Sequence, residues 1–215
     1  MSSSQWSSVH VLKLILNISK IFCCSLHGTS LGDEGLECLM PALQAHPKLQ
    51  SLDFGDCQLG DEGIRQICTL LPPIEGRQGL LDLTLSANPS ISPQGWTQLA
   101  IAIAANSQLC FLYLDYNNIG DNEARVLSVA LAASSTLERL DLEGCNIGEK
   151  GGEMFFTVLA NYPTRMVELV LTETGISADL IGQINDCLNQ KMQDSEEQES
   201  LDKSAEEEEK SKDAA

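Results

Sequence analysis

Apolar residues in this chain alternate over short runs and then change to helical spacing, and the pair of patterns recurs along the sequence. The alternating runs are "LQSLDF", "LLDLTL", "LCFLYL", "LERLDL" and "MVELVL". A two-residue period puts the leucines on one face of a strand and their neighbours on the other. The last apolar residue of each run, with one earlier unit added, falls at Leu26, Phe54, Leu85, Leu114, Leu142 and Leu171, at intervals of 28, 31, 29, 28 and 29 residues. Three positions later stands Thr29, Cys57, Asn88, Asn117, Cys145 or Thr174. A short side chain there can bond backbone groups that the turn off the strand would leave buried and unpaired. The near-duplicates "LDFGDCQLGDEGI" from Leu52 and "LDLEGCNIGEKGG" from Leu140 are this turn written twice.

Just past each turn come Gly32, Gly60, Ser92, Gly120, Gly148 and Ser177, all good helix caps. The following residue is an acid at Asp33, Asp61, Asp121 and Glu149 and a proline at Pro93, both suited to a first helical turn. Apolar residues four, seven, eight and eleven positions beyond the cap form a stripe, such as Leu36, Leu39, Met40 and Leu43, or Trp96, Leu99, Ala100 and Ile103. Met40 and Trp96 are therefore expected in the core. The same ruler run backwards places Val11, Leu12 and Ile15 on a stripe behind Ser4, so residues 1–20 read as an incomplete N-terminal repeat or capping helix. "LLPPIEGRQG" lengthens the second unit, and Pro72-Pro73 are expected to end its helix. With the long third turn "SANPSIS", it is expected to form a local feature on the rim.

Strand, turn and helix repeating in this way give an α/β fold, a solenoid with about six parallel strands inside and helices outside. The domain reading is 1–20 cap, 21–190 six repeats and 191–215 a disordered acidic tail, because "DSEEQESLDKSAEEEEKSKDAA" has no periodicity. Units of 28 and 29 residues with full helices resemble the ribonuclease-inhibitor-like class of leucine-rich repeats, whose shape is a horseshoe. The runs "LGDEGLECLMPALQAHPKLQSLDFGDCQLGDEG", "LTLSANPSISPQGW" and "LDYNNIGDNEA" carry the resemblance from about Leu26 to Gln190. The relatives have further repeats upstream, which implies a shortened or alternatively started form. The resemblance implies a cytoplasmic or nuclear protein-interaction scaffold and supplies no active site.

Charge narrows the partner. The chain has 31 acids against 13 basic residues, a net charge of −18. Ten acids and three lysines from Met192 onward put −7 in the tail and leave −11 for the body. Such a surface repels phosphates and anionic lipid and favours a basic protein. No nucleic acid, membrane, small-molecule substrate or cofactor is expected, and the protein is expected to act as a monomer. The segment Val9 to Phe22 is too short to span a membrane and is interrupted by Lys13.

Candidate chemistry is thin. The eight cysteines are scattered without zinc or disulfide spacing, and Cys23-Cys24 with His27 is no metal motif. "GDEG" lacks the alternating oxygens of a calcium loop. None of the three histidines joins a recognisable nucleophile arrangement.

The inner wall is the candidate site. Non-leucine strand positions, Gly55 and Ser86 among them, are expected to face solvent. Phe111 and Tyr113 form an aromatic pair with Tyr116 just beyond, flanked by Asp82, Asp115, Asp141, Glu143 and Glu168 and a single base, Arg139. Rings supply buried area and carboxylates steer a basic partner. Two alternatives come from resemblance. A GTPase-activating protein of the nuclear-transport type also joins such repeats to an acidic tail, and only Arg77 looks free to act as a finger. An inhibitor of a basic ribonuclease-like enzyme is the other.

Overall fold

The computed structural model describes residues 22–194. The expected cap at 1–20 and most of the expected tail lie outside them. Six strands alternate with six helices: β1 (Cys23–Ser25), α1 (Gly32–Ala45), β2 (Ser51–Asp53), α2 (Asp61–Cys68), β3 (Asp82–Thr84), α3 (Pro93–Asn106), β4 (Phe111–Tyr113), α4 (Asp121–Ala133), β5 (Arg139–Asp141), α5 (Glu149–Asn161) and β6 (Glu168–Val170), then a last helix, α6, described over 178–194. That helix carries the repeats four residues past the expected boundary at 190.

The strands form one parallel sheet in chain order. Their central leucines stand in register, Leu52 with Leu83, Leu83 with Leu112, Leu112 with Leu140 and Leu140 with Leu169. All are buried, and so are Phe54, Leu85, Leu114, Leu142 and Leu171 two residues on. Each such side chain contributes roughly 1.5–3 kcal/mol by leaving water. Met40 and Trp96 lie in the same core. Strands stack about 4.8 Å apart while helices need about 10 Å, so the stack curves with the sheet inside.

The turn residues behave as their chemistry requires. The Asn88 amide donates to the carbonyls of Phe54 at 2.9 Å, Leu85 at 2.9 Å and Ser86 at 3.1 Å. Its oxygen accepts the N–H groups of Cys57 at 3.3 Å and Leu59 at 2.9 Å. Asn117 repeats the pattern one coil later and accepts the Asn88 N–H at 2.8 Å. Cys57 and Cys145 replace the amide with a thiol donating to the Leu26 carbonyl at 3.1 Å and the Leu114 carbonyl at 3.4 Å.

Gly60, Ser92, Gly120 and Gly148 cap their helices, while α1 begins at Gly32 itself, where φ is +61°. The long second connection differs from expectation. Helix α2 ends at Cys68, short of Pro72-Pro73. Tight i→i+3 turns carry the chain on from there to Leu71, just before Pro72, and the Arg77 side chain takes up carbonyls left open in this stretch. It is only 5% exposed and donates to the carbonyls of Leu70 at 2.6 Å, Thr69 at 3.3 Å and Pro72 at 3.4 Å. Arg77 is therefore not the free arginine its loop position suggested. Gly79, at φ +83°, is needed here because a Cβ would meet the Leu71 carbonyl oxygen at 2.5 Å. This connection precedes β3 and the long third turn follows it, so the two lie at opposite ends of that strand rather than forming one feature.

Candidate functional site

Alternation along the strands sends three rows of side chains to the inner wall. The first row runs Ser51, Asp82, Phe111, Arg139, Glu168 across the sheet, and the second runs Asp53, Thr84, Tyr113, Asp141, Val170. The third follows two residues later and includes Asp115 and Glu143. Of the aromatics, Phe111 is 39% exposed and Tyr116 is 51% exposed. Tyr113 is half-buried, and the Arg139 guanidinium lies 5.5 Å from its ring centre. The exposed aromatics are thus Phe111 and Tyr116, with Tyr113 beneath a cation.

Arg139 is held from three sides. It pairs with Glu168 on β6 and with Asp141 at 3.4 Å, and it stacks on Tyr113 of β4. Burial pushes the Asp141 carboxyl up and the Asp115 charge adds to this, against the Glu143 N–H and Arg139, which pull it down. Asp82, the register partner of Phe111, is also pushed up, chiefly by burial, with Ser51 opposing and the Asp53 charge adding. Asp115 accepts the Ser86 hydroxyl at 2.5 Å. Among the described residues, no ion pair involves Asp82, Asp115 or Glu143.

Tyr116 lies beyond the strand at φ +55°. Its hydroxyl donates to Glu143 at 2.9 Å and reaches Glu173 at 3.5 Å. Bonding to the Glu143 carboxylate, with burial and both negative charges, pushes the phenol up to about 12. The ring crosses Gly144, where a Cβ would meet Tyr116 Cδ1 at 2.5 Å, so a glycine is required beneath it.

Gly55 and Ser86 are buried rather than exposed. His27 covers Gly55, where a Cβ would fall 2.4 Å from the imidazole Nδ1. Sequence reasoning left out this N-terminal end of the wall. Asp53 accepts the Ser25 hydroxyl at 2.8 Å and the Gly55 N–H at 3.0 Å, and its Oδ1 lies 3.2 Å from His27 Nδ1. Burial pushes the Asp53 carboxyl up, but these three donors outweigh it and hold the group below its usual value. Both Ser25 and His27 turn to the aspartate, so the imidazole is not placed between serine and carboxylate as a nucleophile relay needs. The repeat ruler had the means to find them, since Ser25 and His27 occupy the same rows as Asp53 and Gly55.

Among the described residues, no group of three or more His, Cys, Asp or Glu side chains is arranged to hold a metal ion. No described helix is long and apolar enough to cross a membrane.

The Leucine Rich repeat family profile matches residues 45–68 and 133–156. Leucine-rich repeat-containing protein 73 of Rattus norvegicus is 50% identical over 165 residues, 77% of this chain and 52% of the relative. The Homo sapiens protein of the same name is 48% identical over the same shares. The chain thus spans about half the length of the curated relatives it matches. Two solved structures share the fold. "Leiomodin-1 Actin-Binding Site 2 (ABS2)" has a TM-score of 0.54 at 16% identity, covering 96% of this chain and 99% of its own. The tropomodulin C-terminal domain of Caenorhabditis elegans has a TM-score of 0.55 at 10% identity, covering 92% and 98%. Leucine ladder, turn-residue network and matches together give this chain a leucine-rich-repeat fold, with curated homologues named leucine-rich repeat-containing protein 73 over 77% of its length.

Proposed function

We propose that the chain is a non-catalytic protein-interaction scaffold of the ribonuclease-inhibitor-like kind, whose inner wall contacts a basic protein partner. The observation that carries this reading is the exposure of Phe111, and of Tyr116 just beyond its strand, beside a sheet face on which carboxylates outnumber the single base Arg139. An aromatic side chain left in water by its own fold has apolar area to bury in a complex, where truncating such an anchor costs ~2 kcal/mol or more. Asp82, Asp115 and Glu143, which pair with no cation among the described residues, supply the complementary field for lysine and arginine. Tyr113, Arg139, Asp141 and Glu168 form a pre-assembled cluster beside these anchors, and rigid contact residues lose less entropy on binding. The eight cysteines, read as thiols, suit the cytoplasm.

The test is affinity capture from cell extract with the wild-type chain and with a Phe111→Ala/Tyr116→Ala variant. Lysine- and arginine-rich proteins should be enriched by the wild type, lost by the variant, and recovered less as salt rises. Capture that ignores both the substitutions and the salt would sink this reading.

A further inference from the structure

We infer that the open half of the inner wall seats an arginine supplied by the partner, between Asp82 and Phe111; the inference rests on the wall being the contact surface. This wall already holds one guanidinium. Arg139 on β5 is met by Glu168 on one adjoining strand and lies over the ring of Tyr113 on the other, with Asp141 two residues along its own strand. Carboxylates and an aromatic ring together hold its planar head.

Towards the N-terminal end the same two ingredients recur without a base. Asp82 and Phe111 are register partners on β3 and β4, and Tyr113 follows Phe111 by two residues. Phe111 is exposed, and among the described residues no cation pairs with Asp82. Partial burial and the nearby Asp53 both press on the Asp82 charge, so an incoming cation relieves a cost the fold has left in place. The choice of arginine over lysine follows from shape. A guanidinium can stack on a ring while donating two parallel N–H groups to a carboxylate, whereas an ammonium is a strongly hydrated point charge.

The experiment measures binding of the full chain to two labelled probe peptides, octa-arginine and octa-lysine, by fluorescence anisotropy at fixed salt. The arginine peptide should bind several-fold tighter. Asp82→Asn and Phe111→Leu should each weaken it by about tenfold and erase most of the preference. Glu34→Gln, an exposed acid on α1, should leave both affinities alone. Equal binding of the two peptides overturns the seat, as does octa-arginine binding that ignores both inner-wall substitutions, and either result leaves the inner-wall reading standing. Failure of both peptides to bind overturns seat and reading together. Both substitutions are conservative and lie on the surface, and if one fails to fold the other still decides.

Discussion

The carboxylate of Asp121, the first residue of α4, accepts the backbone N–H of Gly148, the cap of α5, at 2.7 Å, and that of Gly151 at 3.1 Å. The acid therefore serves the helix after its own. Asp33 does the same for Gly60 at 2.8 Å, Asp61 for Ser92 at 2.8 Å and Glu149 for Ser177 at 2.8 Å. Pro93 interrupts the series, and Glu123 within α4 meets the Gly120 N–H at 2.9 Å instead. A glycine cap has no side chain to bond its own helix, so the donor groups would otherwise go unpaired. Four repeats thus finish the next one, which ties those neighbouring coils together by charge as well as by leucine contact.

Asp121→Ala should lower unfolding free energy by ~1–3 kcal/mol, since two N–H groups lose a charged acceptor. Asp61→Ala should behave alike, because it holds both the N–H and the hydroxyl of Ser92. Glu34→Ala, exposed in the first turn of α1, should stay within ~0.5 kcal/mol of wild type. Urea denaturation followed by circular dichroism decides it, and equal losses at all three positions would refute inter-repeat capping.

Asn88 satisfies five buried backbone groups in two coils, and Asn88→Ala should cost about 3–5 kcal/mol. Asn88→Cys should cost less, because Cys57 and Cys145 occupy the same turn in other coils and donate to backbone carbonyls there. The comparison of the two midpoints is the check.

Arg77→Ala should destabilise by about 2–3 kcal/mol, through three carbonyls left without their donor. Arg77→Lys should not restore the loss, since a single ammonium cannot span a fork of that width. A variant as stable as wild type would show the loop to be held by something else.

Asp82→Asn should be at least as stable as wild type at neutral pH while binding basic probes less well. The sign follows from its raised carboxyl: a folded-state value above the usual 3.8 means that the native chain takes up the proton first. The group therefore detracts from stability when ionised, and the deficit shrinks as pH falls through the raised folded value towards 3.8. Asp53 has the opposite sign, its contribution being present above 3.8 and lost as pH falls through its lowered folded value. Thermal melts of Asp82→Asn and Asp53→Asn across the acid range should diverge from wild type in opposite directions.

Much of the fold was legible in the chain because a solenoid repeats one local solution. Period-two leucines at Leu52, Leu83 and Leu112 and helical stripes such as Leu36, Leu39 and Met40 announce their own burial, and they are buried. The candidate wall was legible as a set of positions, with Phe111 exposed as its strand parity requires. Its internal state was not. The reach of Arg139 to Glu168 and over Tyr113 depends on rotamers and strand spacing, and so does the closure of His27 over Gly55.

What the sequence by itself determined is the period, the buried face and the turn chemistry, since each depends only on residues close along one coil. What the tertiary structure decided is which coil uses each polar group: Asp121 for Gly148, Asn117 for Asn88, Arg77 for the end of α2. A carboxylate or guanidinium reaches about as far as the gap to a neighbouring coil or loop. Its partner is therefore set by stacking and loop path, which periodicity does not encode.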